Sequence, residues 1–233
     1  MSYNFKKEED VKEYIKNIGI EYRFGCFSEK DPQICQLLGD YLEAIENNPD
    51  KAAKIYKQNC DERHFGRSCY KYASYLEKTN LKNLKPVLPE MIKYLKKGCD
   101  HNWSDGCFAA GMKLNYHSNL IPNIEERTKS ILEGLQYLEK ACNNRHAEAC
   151  YVASTIHYNG YDEIGLKPNK IKFLEFSEKA CEHNDIRACV NASVAYKKGD
   201  GVPVDLELAQ KFKDKALDIQ KQILEEKGVQ FNS

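Results

Sequence analysis

Ten cysteines are the residues of this chain whose type and spacing bear most directly on chemistry. They form five close pairs, which are Cys26/Cys35, Cys60/Cys69, Cys99/Cys107, Cys142/Cys150 and Cys181/Cys189. The separation within a pair is 9, 9, 8, 8 and 8 residues, and the first members of successive pairs are 34, 39, 43 and 39 residues apart. Cysteines in such pairs could form structural disulfides, bind a metal, or exchange disulfides with a substrate.

The spacing favours a disulfide within each pair. In one continuous helix, cysteines eight residues apart would lie ~12 Å apart, whereas a disulfide needs Cα atoms within ~4.4–6.8 Å of each other. The chain must therefore reverse between the two cysteines, and the intervening residues, such as 61–64 and 143–145, are polar and suit a turn. Ten cysteines allow about 945 pairings, and the internal repeat selects the one that links the first helix of each hairpin (helix A) to the second (helix B).

Other cysteine and serine chemistry finds less support. Structural zinc sites use closely spaced ligands such as C-x2–4-C, and the sequence contains no CxxC, so the metal question stays open. Thiol–disulfide reductases typically use a CxxC motif. Because this motif is absent, we prefer a structural role of the cysteines over a reductase. A serine β-lactamase needs a lysine three residues after its nucleophile, but Ser28, Ser74 and Ser130 are each followed there by an acidic residue. We expect no catalytic residue and no β-lactamase activity.

The six histidines are a second set of potential ligands. Four of them, His64, His101, His146 and His183, lie between paired cysteines, where polar turn residues are expected. His117 and His157 lie toward the ends of B helices. A His/Met haem site remains an open alternative, although Met112 precedes His117 by five residues, which places the two side chains on different faces of a helix.

The pairs recur with the period of a helix–turn–helix repeat. A small residue follows each second cysteine by four positions, at Gly39, Ala73, Gly111, Ser154 and Ser193. Large aromatic residues precede the first cysteine by four or five positions, at Tyr56, Tyr94, Tyr137 and Phe176. These four are candidates for lining a groove that binds a helix or peptide of a partner. The alternative is that they pack between repeats.

The repeat predicts an all-α chain in a single domain, residues 1–233. Its hairpins should cover about 8–46, 50–80, 88–118, 128–160 and 169–199. A capping helix should follow at about 205–227, with Asp205 as its N-cap residue.

Composition excludes some partners. Lys+Arg and Asp+Glu number 35 each, so the chain lacks the basic excess of a nucleic-acid-binding protein. The mean hydropathy is −0.68, and no apolar run approaches the ~20 residues of a membrane span. If Met1 is the true start, the acidic residues that follow it encode neither a secretory signal nor a matrix presequence.

Ten paired cysteines nevertheless require an oxidising compartment. The mitochondrial intermembrane space is oxidising and needs no cleaved signal. The alternative is a secreted or periplasmic protein whose signal is not included. Glycosylation at Asn102 in the sequon Asn102-Trp103-Ser104 would support that alternative.

Several motifs resemble a known family. The pattern Gly-x-Gly-Val-x-x-Asp-x-x-x-Ala, at residues 199–209, resembles the signature of Sel-1-like repeats. Lys-Ala-Cys-x7-Cys, at 140–150 and 179–189, resembles the cysteine-rich subset of that family, which includes β-lactamase-like proteins of Helicobacter. Residues 28–35 and 50–60 are similar to a eukaryotic branch of this subset that assists assembly of respiratory complex IV.

The resemblance implies a right-handed α/α solenoid of five disulfide-linked hairpins plus a C-terminal capping helix. It also implies a monomer in the mitochondrial intermembrane space, imported by the disulfide relay, that works with complex IV assembly proteins. The family is associated with haem binding, so haem is a possible cofactor without assignable ligands, and with a thiol–disulfide role toward copper-delivery factors. A secreted cysteine-rich binding protein remains the third alternative.

Overall fold

The computed structural model describes residues 3–229, so residues 1, 2 and 230–233 of the predicted domain lie outside the described residues. The described part is helical and forms no β-strand. Its α-helices are α1 Glu8–Phe27, α2 Pro32–Ala44, α3 Pro49–Arg63, α4 Gly66–Thr79, α5 Leu88–Asp100, α6 Ser104–Ser118, α7 Ile124–Asn143, α8 Ala147–Asn159, α9 Lys170–Glu182, α10 Ile186–Lys198 and α11 Leu206–Val229. A short 3₁₀ helix, Asp162–Ile164, precedes α9.

Contacts divide the chain into two compact units between Gly106 and Cys107. In unit 1, helices α1 to α5 pack against one another in chain order. In unit 2, helices α7 to α11 do the same. Packing between consecutive helices is the pattern expected of a helical repeat protein. The all-α fold of disulfide-linked hairpins is therefore confirmed.

The turns between helices A and B share one backbone feature. Each contains a non-glycine residue in the left-handed region, with φ between 56° and 67°. These residues are Lys30, His64, Asn102, Arg145 and Asn184. Each lies five residues before the second cysteine of its pair, so the pairs separated by nine residues carry their additional residue before this position. The backbone therefore enters helix B in the same way in the hairpins of both spacings.

The reversal brings paired cysteines together. The Cα–Cα distance is 4.5 Å for Cys26–Cys35, 4.8 Å for Cys60–Cys69, 4.5 Å for Cys142–Cys150 and 4.6 Å for Cys181–Cys189. No cysteine among the described residues is free. Every one of the ten is at most 2% exposed. The sulfur atoms are therefore part of the hydrophobic core.

Side-chain caps fix where several helices begin. Asp31 and Asn48 accept hydrogen bonds from the backbone N–H groups three residues later, at the starts of α2 and α3. Asp205 Oδ1 accepts from Leu208 N at 2.9 Å, as expected from the sequence. Such caps satisfy donors that the first helical turn leaves without partners.

The small residue four positions after the second cysteine allows close packing of the next repeat. A Cβ atom on Gly39 would overlap the Tyr56 ring, and one on Gly111 would lie 2.8 Å from the Gly134 carbonyl oxygen. The neighbouring A helix therefore occupies the space of the missing side chain.

Candidate functional site

The four aromatic residues predicted to line a groove lie mostly in the core. Tyr56, Tyr94 and Phe176 are 2%, 3% and 5% exposed, and Tyr137 is half-buried. The Tyr94 hydroxyl donates a hydrogen bond to Asp61 Oδ2 at 2.8 Å. The burial of Tyr56, Tyr94 and Phe176 corresponds to the alternative in which these rings pack between repeats.

A charged network surrounds the Tyr56 hydroxyl. That hydroxyl donates to Asp40 Oδ1 at 2.7 Å, and Lys71 Nζ donates to Glu43 Oε2 at 2.6 Å. Burial, together with the two carboxylates, raises the pKa of Tyr56. Burial alone would raise the pKa of Glu43, but hydrogen bonds from Lys71 and Lys78 outweigh it and lower that pKa to about 2. Because each carboxylate has a cationic partner, the network joins α2, α3 and α4 and has the character of a structural element.

The sequence reasoning missed one Ser-x-x-Lys spacing, at Ser68 and Lys71. Ser68 is fully buried, and its Oγ donates to Gln36 Oε1 and accepts from Asn59 Nδ2, both at 2.7 Å. Lys71 instead binds the carboxylates of Asp40 and Glu43. A nucleophile needs a base within hydrogen-bond reach and access to substrate. The pair provides neither, so this spacing does not create a β-lactamase site.

His157 is a buried titratable residue of unit 2. Its side chain is 6% exposed, and Nε2 lies 2.8 Å from Glu139 Oε1. The ring stacks on Phe176 with centroids 5.4 Å apart, and Lys172 approaches the same carboxylate oxygen at 3.3 Å. The hydrogen bond with His157, followed by the charge of Lys172, holds the pKa of Glu139 below its usual range despite burial. This cluster connects α7, α8 and α9.

Three other histidines, His64, His101 and His146, make contacts within or next to their own turns. His146 Nδ1 accepts a hydrogen bond from Ala149 N at 3.2 Å and so caps α8. The rings of His64 and His101 lie 4.9 Å apart, and burial followed by the nearby charge of His64 lowers the pKa of His101. Sequence reasoning expected polar turn residues here, which these contacts agree with.

Each unit has a cavity that opens on its surface. In unit 1, a cavity of about 270 Å³ lies between α1 and α2 and is lined mainly by apolar residues that include Ile15, Ile18 and Tyr41. In unit 2, a cavity of about 320 Å³ is formed by α8, α9 and α10, with the loop after α10. We call it the α8–α10 cavity. Its walls include Tyr151, Thr155, Tyr158, Phe173, Asn191 and Lys198.

Potential metal ligands do not cluster in the part of the chain that the structure describes. Among the described residues, no group of three or more His, Cys, Asp or Glu side chains could hold a metal ion. Met112 is 40% exposed, and Nε2 of the His157 ring is hydrogen-bonded to Glu139 Oε1. The walls of the unit 1 cavity and of the α8–α10 cavity contain no His, Met or Cys among the described residues.

A membrane span is absent from the helices of the described residues, because none combines enough length with enough apolar character.

Comparison with known proteins connects the chain to two groups. The Sel1 repeat family matches residues 125–146, 147–185 and 186–218. The chain is 48% identical over 115 residues to the cytochrome c oxidase assembly factor 7 homolog of Drosophila melanogaster. The aligned segment covers 49% of this chain and 43% of that protein. It is 33% identical over 112 residues to cytochrome c oxidase assembly factor 7 of Danio rerio, covering 47% of this chain and 48% of the relative. The resemblance predicted from the sequence is thus confirmed, and the aligned part spans less than half the length of these curated relatives.

Solved structures support the fold. A Sel1 repeat protein from Oxalobacter formigenes superposes with a TM-score of 0.63 at 19% identity, covering 90% of this chain and 82% of that one. The protective antigen c5321 of uropathogenic Escherichia coli, which displays an SLR fold, gives a TM-score of 0.61 at 19% identity, covering 85% and 40%. At this level of identity the likeness concerns architecture alone.

Proposed function

Because the chain carries Sel1 repeats and has homologues named cytochrome c oxidase assembly factor 7, we propose that it takes part in the assembly of respiratory complex IV as a non-catalytic binding scaffold. The observation that carries this proposal is the 48% identity to the Drosophila homolog over 115 residues. Similarity to the same named protein in Danio rerio and Homo sapiens supports it.

The proposed location is the mitochondrial intermembrane space. All ten cysteines are buried and disulfide-bonded, which requires an environment that oxidises thiols. The disulfide relay of that compartment would form these bonds on import, and complex IV assembly proteins would be the partners. A secreted location is the competing hypothesis.

A scaffold is favoured over a disulfide reductase by the burial of the sulfur atoms. Thiol–disulfide exchange requires a thiolate to reach a disulfide sulfur. Since no cysteine is more than 2% exposed, a substrate thiol could reach these bonds only after local opening of a hairpin. The reductase hypothesis therefore ranks second.

The proposal is tested by deleting the gene in cells that express the protein. We expect the amount and activity of assembled complex IV to fall on native gels while complexes I and III are retained, and we expect the wild-type chain to restore it. Unchanged complex IV in a complete knockout would refute the proposal.

Location and redox role are tested separately. Cell fractionation with protease protection should recover the chain inside the outer mitochondrial membrane, and alkylation should find no reactive thiol before reduction. A glycan at Asn102 would instead establish secretion. For the reductase alternative, the purified chain is incubated with a disulfide-bonded peptide and glutathione. Turnover above the uncatalysed rate would favour an enzyme over a scaffold.

A further inference from the structure

Two tyrosines line the α8–α10 cavity, and a positively charged side chain lies over the ring of each. Arg187 lies over the Tyr151 ring, with the guanidinium carbon 3.8 Å from the ring centroid. Lys170 Nζ lies 3.4 Å from the centroid of the Tyr158 ring. The face of an aromatic ring attracts a cation electrostatically. The rings are thus fixed by contacts with residues other than those that line the cavity.

Each cation is in turn held by an aspartate. The Arg187 guanidinium makes two hydrogen bonds to Asp185, at 3.2 and 2.6 Å, and the Asp185 side chain is only 7% exposed. Lys170 Nζ donates to Asp200 Oδ2 at 3.3 Å. Two aspartate–cation–tyrosine chains therefore hold walls of the cavity in place before any ligand arrives. Preorganised walls reduce the entropy lost on binding.

The cavity wall also contains the polar side chains of Asn191 and Lys198. In the part of the chain that the structure describes, no hydrogen bond or ion pair joins the side-chain carboxamide of Asn191 or the ammonium group of Lys198 to another residue. A carboxamide offers a donor and an acceptor, which is the complement of a peptide bond. Because Asp200 is neutralised by Lys170, the charge that Lys198 adds leaves this end of the cavity positive.

Apolar surface continues out of the cavity along α10. Val190 and Val194 are 47% and 42% exposed, and Tyr158 is 42% exposed. A volume of about 320 Å³ is at the small end of ligand sites, so the cavity accommodates a side chain or two rather than a large cofactor. The exposed valines would cover the rest of an extended chain.

We propose that the α8–α10 cavity binds an extended peptide segment in which an aromatic or large aliphatic residue is followed by an acidic one. The apolar side chain enters between Tyr151 and Tyr158. The acidic side chain pairs with Lys198, and Asn191 hydrogen-bonds a peptide group. This site goes beyond the proposed role in complex IV assembly and does not depend on it.

The test uses the purified, oxidised full chain labelled with ¹⁵N and capped hexapeptides that lack terminal charges. The peptide Gly-Ser-Phe-Glu-Ser-Gly should shift the backbone amide signals of Thr155, Asn191 and Lys198. Its counterpart with Gln in place of Glu should bind on the order of tenfold more weakly, because a charge-assisted contact is lost. The counterpart with Gly in place of Phe should not bind measurably.

Variants of the protein locate the site. Lys198→Glu should weaken binding of the Phe-Glu peptide by at least tenfold, whereas Lys197→Glu, which reverses the charge of the adjacent exposed lysine, should change it by less than twofold. Val194→Trp places an indole at the mouth of the cavity and should block binding. Because Val194 is exposed, this variant should keep the melting temperature of the parent.

Four outcomes would overturn the proposal. These are equal binding of the Glu and Gln peptides, equal effects of Lys198→Glu and Lys197→Glu, no signal shifts at millimolar peptide, and binding of free 3-phenylpropionate as tight as that of the Phe-Glu peptide. The last outcome would identify a pocket for small carboxylates.

Discussion

Removal of a single disulfide should cost a measurable and calculable part of the stability of unit 2. The perturbation is the double substitution Cys142→Ala and Cys150→Ala, which deletes one bond and leaves no free thiol. Both cysteines are at most 2% exposed, so each substitution also removes a buried sulfur atom.

The magnitude follows from the size of the closed loop. The two cysteines are eight residues apart, and for a loop of about nine residues the chain-entropy relation gives about 2.6 kcal/mol at 25 °C. The loss of packing around two buried sulfurs adds to this, so we expect the free energy of unfolding to fall by about 2.5–4 kcal/mol. Five such bonds would together rival the ~5–15 kcal/mol that stabilises a whole domain.

The assay is equilibrium unfolding in urea under oxidising conditions, combined with hydrogen exchange that reports on unit 2. Glu148→Ala is the control, because Glu148 is an exposed residue of the same hairpin and its loss should change stability by less than about 0.5 kcal/mol. A loss below about 1 kcal/mol in the double variant would refute the reasoning. So would equal melting temperatures of the wild-type chain with and without a reducing agent.

Three further predictions concern unit 1. Ser68→Ala breaks the hydrogen-bond chain in the core and should cost about 1–3 kcal/mol in urea unfolding, because partners that remain buried lose a hydrogen bond; a loss near zero would mean that ordered water replaces the hydroxyl. Gly39→Ala should destabilise by about 1–3 kcal/mol, since its Cβ would overlap the Tyr56 ring, and an unchanged melting curve would show that the two helices separate at little cost. Although burial opposes it, the hydrogen bonds from Lys71 and Lys78 lower the pKa of Glu43 in the folded chain to about 2, so its stabilising effect is complete above the ordinary carboxyl pKa and is lost as the pH falls from about 4 toward 2. In acid titrations followed by circular dichroism, Glu43→Gln should remove part of this dependence, and identical titrations of the variant and the parent would contradict the assignment.

The hairpin architecture follows from local sequence and simple geometry. Paired cysteines eight or nine residues apart can bond only across a chain reversal, so the spacing of Cys60 and Cys69 predicts both a turn and the bond that the structure contains. The cap at Asp205 is also a local signal, because it accepts a hydrogen bond from a backbone group three residues later. Gly39 was recognised in a different way, since a small residue recurs at its position in every repeat.

The candidate site depended on tertiary structure. The sequence could not tell whether the Tyr56 ring is exposed or buried, because that depends on how closely the next repeat packs. In the structure the ring is 2% exposed and its hydroxyl is bonded to Asp40. The spacing of Ser68 and Lys71 likewise matches a catalytic motif when the sequence is taken alone. The structure shows that the Ser68 hydroxyl is bonded to Gln36 and that the Lys71 ammonium is paired with Glu43.

The α8–α10 cavity had no sequence signal, because its walls come from helices of two different repeats and from residues such as Tyr151 and Lys198 that lie far apart in the chain. The sequence by itself determined the repeating unit, since a disulfide-linked hairpin is specified within about 40 residues. The tertiary structure alone decided which surfaces remain available for binding, because a side chain is exposed or buried according to the neighbouring repeats, and their approach is a property of the packed chain.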